Sequence, residues 1–254
     1  MTTGHEIRGV GAMRVLVLHG WFGDHHIWSP TYPLLDEARY TYAFMDYRGY
    51  GASRAVEGRH TIAEMAGDAL ALADALGWDR FAVVGHSMGG MAAQRVAIDA
   101  PRRVLAAACV TPVPASGVPL PPEVAAVFAA AGTDDQAALG VIENSLGQRL
   151  TPAVAAQVLA HQRRTSDARA FADYFRAFSE TDFSAEAVGL RAPLLVLVGE
   201  HDQGVSREFV SATFPRLYPH ARIETLPNAG HYPMLETPAY LVTVIEAFLR
   251  EHGA

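Results

Sequence analysis

The chain contains a single cysteine, Cys109, among 254 residues. One cysteine excludes an intramolecular disulfide and any zinc site built on several thiolates. Cys109 lies in the apolar run Val104-Leu105-Ala106-Ala107-Ala108-Cys109-Val110. A free thiol in such a run packs as a small, inert hydrophobe. Long apolar runs are also missing, and none approaches the roughly 18 residues that a membrane span needs. Residues Met1 to Arg14 are polar and carry Gly, without the apolar centre of a secretion signal. A cytoplasmic protein with no membrane contact is the expectation. Positive charge is the scarcer sign: 20 Lys and Arg face 27 Asp and Glu, a net charge of −7. An acidic surface repels phosphate backbones, so nucleic acid is not an expected partner. Internal repeats and low-complexity tracts are absent as well.

What is present reads as a globular chain, half apolar and 19% charged. Its length suits one α/β domain with an insertion. Short β-type runs end in polar or Gly-rich turns. Val15 to Leu18 ends at His19-Gly20, and Tyr40 to Met45 ends at Asp46-Tyr47-Arg48-Gly49. Phe81 to Val84 ends at Gly85-His86-Ser87-Met88-Gly89, and Val104 to Val110 ends at Thr111-Pro112. Leu194 to Val198 ends at Gly199-Glu200-His201-Asp202, and Arg222 to Leu226 ends at Pro227-Asn228-Ala229-Gly230-His231. Several runs are apolar without alternation, as in strands covered on both faces of a parallel sheet. Helical patterns separate them. Thr61 to Gly77 places Ile62, Met65, Ala66, Ala69, Leu72, Ala73 and Leu76 on one stripe. Met88 to Ala100 and Pro238 to Glu251 read the same way. Alternating strands and helices predict a doubly wound, mostly parallel α/β sheet.

One region breaks the alternation. Between Val113 and Arg191 there is no convincing strand. Helix-forming pieces at Glu123 to Ala131, Asp134 to Leu146, Pro152 to Arg163 and Asp167 to Ser179 are punctuated by Pro and Gly. We expect residues 113–190 to form a helical cap inserted into a core made of residues 1–112 and 191–254.

The turn at Ser87 carries the chemistry. A tight strand-to-helix turn lifts a serine clear of the sheet, and flanking glycines leave room for a strained backbone. The motif is weak alone. Joined to a later strand ending in Gly-Glu-His-Asp and another ending in Ala-Gly-His, it resembles the α/β-hydrolase family, from about Met13 to the C-terminal helix. His19-Gly20-Trp21 and Asp46-Tyr47-Arg48-Gly49-Tyr50-Gly51 fit the same resemblance.

That resemblance implies roles. Ser87 is the nucleophile, His231 the base and Asp202 the acid that orients it, in the family's chain order. A free imidazole titrates near 6.5, which suits proton transfer at neutral pH. The oxyanion donors are the backbone N–H groups of Met88 and Trp21. The side chains of Trp21, Met88 and His19 are candidates for substrate contact, with His19 also expected to orient the Trp21 loop. Glu200 is the rival acid. Arg48 is expected to bond backbone carbonyls in a structural turn. His25 and His26 beside Asp24 invite a metal reading, but adjacent histidines on a regular element point apart, so neither metal nor cofactor is expected.

The implied activity is hydrolysis of a carboxylic ester of small to medium, largely apolar character through an acyl-enzyme on Ser87. The same triad also serves C–C bond hydrolases, lactonases, thioesterases, acyltransferases and perhydrolases. A capped-pocket ligand receptor and a cofactor-independent oxygenase are further readings. A serine at this position argues against the haloalkane branch, which uses an aspartate. The natural substrate and the oligomeric state are not legible from the residues.

Overall fold

Strands of this chain form where apolar residues run unbroken, because a strand covered on both faces has no solvent side to mark. The computed structural model describes residues 3–252. In chain order it contains β1 (His5–Arg8), β2 (Met13–Leu18), β3 (Tyr40–Met45), α1 (Ile62–Ala75), β4 (Phe81–His86), α2 (Met88–Asp99) and β5 (Val104–Val110). Then come α3 (Pro122–Ala130), α4 (Asp135–Ser145), α5 (Pro152–Thr165), α6 (Ala168–Glu180) and α7 (Ser184–Ala187). The chain closes with β6 (Leu194–Gly199), α8 (Arg207–Leu217), β7 (Arg222–Leu226), α9 (Pro233–Glu236) and α10 (Pro238–His252).

The seven strands form one sheet in the order β1-β3-β2-β4-β5-β6-β7. Every pairing is parallel except β1 with β3. β3, β4 and β6 are buried along their whole length. The expected doubly wound α/β fold is therefore present. No helix among the described residues is long and apolar enough to cross a membrane.

Helix starts follow local chemistry. Thr61 caps α1 by accepting from the Glu64 N–H at 3.2 Å. Glu64 reaches back to the N–H groups of His60 and Arg59 at 2.9 and 2.8 Å, so orphan amide donors at this end are satisfied reciprocally. The buried face of α1 is Ile62, Met65, Ala66, Ala69, Leu72 and Ala73. Arg48 does more than its expected role. It donates to the Glu57 carbonyl at 3.2 Å, but its planar fork is spent on Asp68, at 2.7 and 2.8 Å.

Four elements escaped the sequence reading: β1, α8 and the single-turn α7 and α9. β1 is four residues with no apolar run, held at the sheet edge by backbone pairing that side-chain patterns do not encode. α8 starts at Ser206, which accepts from the Phe209 N–H at 3.2 Å.

The five helices α3 to α7 all lie between β5 and β6, and they touch the sheet domain at specific points. Asp24, in the loop after β2, accepts from the His26 N–H at 2.9 Å and from His161 of α5 at 2.8 Å. Burial pushes the Asp24 carboxyl pKa up, but the His161 hydrogen bond and charge pull it well below the usual carboxylate range. A depressed folded-state pKa stabilises the fold above the unfolded value near 3.8, and that contribution fades as pH falls. Asp24→Asn is expected to cost about 1.5–3 kcal/mol at neutral pH. In urea titrations the gap from wild type should shrink at pH 3; an equal gap at both pH values would mean that charge is not its source.

Candidate active site

The backbone at Ser87 is strained. Ser87 has φ +55° and ψ −118°, outside the regions that L-residues favour. The turn is held by Ser87 N–H donating to the Val110 carbonyl at 2.9 Å and Val113 N–H donating to the Ser87 carbonyl at 3.1 Å. Its two flanking glycines are required by contact. A Cβ on Gly85 would lie 2.1 Å from the Gly89 carbonyl oxygen, and one on Gly89 would lie 2.5 Å from the His19 carbonyl oxygen. Helix α2 can approach strand β4 because Gly85 has no side chain, and the end of β2 because Gly89 has none.

Three strand ends bring the candidate triad together. β4 delivers Ser87, the turn after β6 delivers Asp202, and the loop after β7 delivers His231. His231 Nε2 lies 2.9 Å from Ser87 Oγ, and His231 Nδ1 lies 2.7 Å from Asp202 Oδ2. Asp202 Oδ1 accepts from the N–H groups of Gly204 and Val205, each at 2.9 Å. With Oδ1 held by two amide donors, Asp202 presents Oδ2 as the acceptor for an Nδ1–H of His231. That leaves Nε2 with a lone pair facing the serine hydroxyl, the tautomer a general base requires. The rival acid, Glu200, is exposed and accepts from the Asn228 N–H at 2.8 Å, which makes it a turn staple.

The loop after β2 passes beside the serine. A Cβ on Gly20 would lie 3.2 Å from Ser87 Cβ. His19 is fully buried, and burial lowers its pKa, so the ring is neutral. Its Nδ1 donates to the Gly20 carbonyl at 2.8 Å, and its Nε2 faces the Tyr47 N–H at 3.4 Å. In a trans peptide the C=O of Gly20 and the N–H of Trp21 point in opposite directions. By holding the carbonyl, His19 fixes the direction of the Trp21 amide. The Trp21 side chain is clamped as well. Its indole N–H donates to the Phe171 carbonyl at 2.8 Å, and its ring stacks on Phe171 at 4.1 Å and Phe128 at 5.7 Å.

A cavity of about 100 Å³ lies against Ser87 and His231. Its walls are mainly apolar: Trp21, Phe22, Val113, Leu120, Phe128 and Phe178. Two expected substrate contacts need correcting. Met88 and His19 are both fully buried and do not line this cavity, because Met88 packs at the root of α2 and His19 is committed to the loop backbone. Phe22, Val118, Leu120 and Val205 line it instead, and sequence reasoning missed them. Nothing in a linear pattern separates a cavity wall from core. A larger groove of about 540 Å³ lies over His26, His161 and Arg164, but Ser87 is not part of it.

His86, beside the serine, is buried and neutral. Burial and the neighbouring His231 hold its pKa well below the ordinary value. Its Nε2 donates to the His231 carbonyl at 2.8 Å. Burial raises the Cys109 thiol to about 12, consistent with its inert packing. The two adjacent histidines do not diverge as expected. The rings of His25 and His26 are 3.9 Å apart, at the start of a 3₁₀ segment, His25–Leu34, that Asp24 caps. Ligating atoms of Asp24, His25 and His26 lie within 4.8 Å of one another. Their partners are internal: His25 Nδ1 meets Asp46 Oδ2 at 2.7 Å, and Asp24 meets His161.

Comparison with known proteins agrees with this fold. A non-heme haloperoxidase from Rhodococcus erythropolis is 30% identical over 233 residues, covering 85% of this chain and 85% of that protein. The dihydrolipoyllysine-residue acetyltransferase component of an acetoin cleaving system from Cupriavidus necator is 42% identical over 106 residues, 42% of this chain and 28% of that protein. The chain thus spans less than a third of that relative's length. The crystal structure of the enol-lactonase from Burkholderia xenovorans LB400 superposes with a TM-score of 0.83 at 25% identity, over 97% of this chain and 96% of that one. The family model described as the alpha/beta hydrolase fold matches residues 14–238. With that match laid over the parallel sheet and the turn at Ser87, the chain belongs to the α/β-hydrolase family.

Proposed function

We propose that this protein is a serine hydrolase of the carboxylesterase type, acting on small to medium, largely apolar esters. The observation that carries the reading is the continuous hydrogen-bond chain Asp202–His231–Ser87, ending at an apolar cavity. Ser87 Oγ attacks the ester carbonyl as its proton passes to His231 Nε2. The oxyanion is held by the backbone N–H groups of Trp21 and Met88. The ester C–O bond breaks, and His231 returns the proton to the leaving alkoxide. Water then attacks the acyl-enzyme, giving its proton to His231; the Ser87–acyl bond breaks, and His231 Nε2 returns that proton to Ser87 Oγ. Residues 113–190 act as a cap over a core of residues 1–112 and 191–254, roofing the acyl site with Phe128 and Phe178.

Cavity size sets the acyl preference. About 100 Å³ is less than the roughly 150 Å³ that holds a benzene ring, so the site suits a short acyl chain. On p-nitrophenyl esters, kcat/KM for the butyrate is expected to exceed that for the octanoate by about tenfold or more, since extra methylenes meet packed aromatic walls. Equal rates along the series would overturn the size limit. No turnover of any ester would overturn the esterase reading itself.

The likeness to an enol-lactonase over nearly the whole chain favours one second reading. A lactone is an internal ester, so the same steps open the ring and leave the alkoxide tethered to the acyl group. Comparing kcat/KM for a small lactone with that for a matched open-chain ester decides between them.

A further inference from the structure

The peptide that carries His231 is held unusually firmly. Its carbonyl accepts from His86 Nε2 at 2.8 Å and from Thr111 Oγ1 at 3.0 Å. Its N–H donates to the carbonyl of Ser145, the last residue of α4, at 2.8 Å. The amides on either side of His231 converge on one carboxylate. Gly230 N–H reaches Glu236 Oε2 at 2.7 Å, and Tyr232 N–H reaches Glu236 Oε1 at 3.0 Å. That side chain is 1% exposed. Its counter-charge comes from Arg149, in the turn between α4 and α5. Arg149 Nη2 lies 3.1 Å from Glu236 Oε2 and donates to the Asn228 carbonyl, in the same loop as His231, at 2.9 Å.

We infer that Glu236 and Arg149 are positioning residues for the base, so that the α4–α5 corner is part of the scaffold of His231 and not only a roof. This rests on the reading of His231 as the general base. The physical reason lies in what a buried carboxylate needs. Burial pushes the Glu236 pKa up, while the two amides and Arg149 pull it down. Without Arg149 the carboxylate is left buried with no cation and must take up a proton or swing toward water. A protonated carboxyl donates from an oxygen that had accepted, so one flanking amide loses its partner. The peptides on either side of His231 then relax, and Nε2 leaves its 2.9 Å contact with Ser87. A displacement of about 1 Å at a reacting group costs on the order of 100-fold in rate. Neither residue lines the cavity at Ser87, so binding is largely spared.

The test uses the full chain with Arg149→Met, Arg149→Lys and Glu236→Gln, assayed on p-nitrophenyl butyrate. Rates are normalised to active sites counted by fluorophosphonate labelling carried to completion. Arg149→Met is expected to lower kcat about 10- to 100-fold with KM within about twofold. Arg149→Lys restores most of the loss because it returns the cation, and Glu236→Gln behaves like Arg149→Met. A lower Tm with wild-type kcat, or a change confined to KM, would overturn the proposal and leave the pair as a staple of the fold. If Arg149→Met does not fold, Glu236→Gln decides alone, since its amide oxygen can still accept from one of the two N–H groups. An inactive wild type would instead overturn the esterase reading, which these variants do not test.

Discussion

Ser87→Ala is expected to lower kcat/KM for a short p-nitrophenyl ester by about 10⁴- to 10⁶-fold, with the fold intact. The size of the loss follows from the geometry. Ser87 Oγ is the atom aligned with His231 Nε2 at 2.9 Å, beside a cavity that admits a carbonyl. Alanine removes that atom and nothing else. It retains Cβ, so the strain of φ +55° is unchanged, and the backbone bonds to Val110 and Val113 persist. Stability should therefore stay within about 0.5 kcal/mol of wild type, or rise slightly as the hydroxyl's ordering is relieved. Steady-state kinetics with a melting curve on the same preparation check both parts. Turnover in the pure variant near the wild-type level would remove Ser87 from the chemistry.

Asp202→Asn is expected to cost on the order of 10⁴-fold in kcat while leaving the site's shape intact. The cause is a tautomer and not a gap. Asp202 Oδ1 accepts from two amides, of Gly204 and Val205, that have no alternative acceptor if an NH₂ group faces them. Asparagine must therefore put its oxygen toward those amides and its NH₂ toward His231 Nδ1. Nδ1 then has to accept, which moves the ring proton to Nε2. A protonated Nε2 faces Ser87 Oγ with a donor where a lone pair is needed. The check is kcat for the single variant and for the Ser87→Ala/Asp202→Asn pair. The pair should be no slower than Ser87→Ala alone, because the residues act as one unit. Additive losses would show that Asp202 acts apart from Ser87.

Parts of this site were legible because they are local. Gly85 precedes the serine for a reason visible over five residues: the strand and helix it joins cannot meet around a side chain, whereas Gly89 answers to the distant carbonyls of Leu18 and His19. The stripe on α1 was readable because a 3.6-residue period exposes one face. The hydrogen bond of His19 is local in the same sense, since the residue acts on the peptide next to it. The substrate contacts expected of Met88 and His19 failed because adjacency in sequence says little about which way a side chain faces.

The chain by itself determined the alternation of strands and helices, the turn at Ser87 and the order in which an acid and a histidine follow. Each of these is written in backbone preferences and apolar periods spanning a few residues. Only the tertiary structure decided which groups meet across long separations. The pairing of Arg149 with Glu236 spans 87 residues, and that of Asp24 with His161 spans 137. The walls of the 100 Å³ cavity come from the loop after β2, from the helices between β5 and β6, and from the turn that carries Asp202. Such contacts are set by sheet register and by how packed faces dock, and these depend on the whole core at once. A motif can therefore announce a nucleophile, whereas the size of what it attacks and the scaffold of its base appear only when distant segments are packed together.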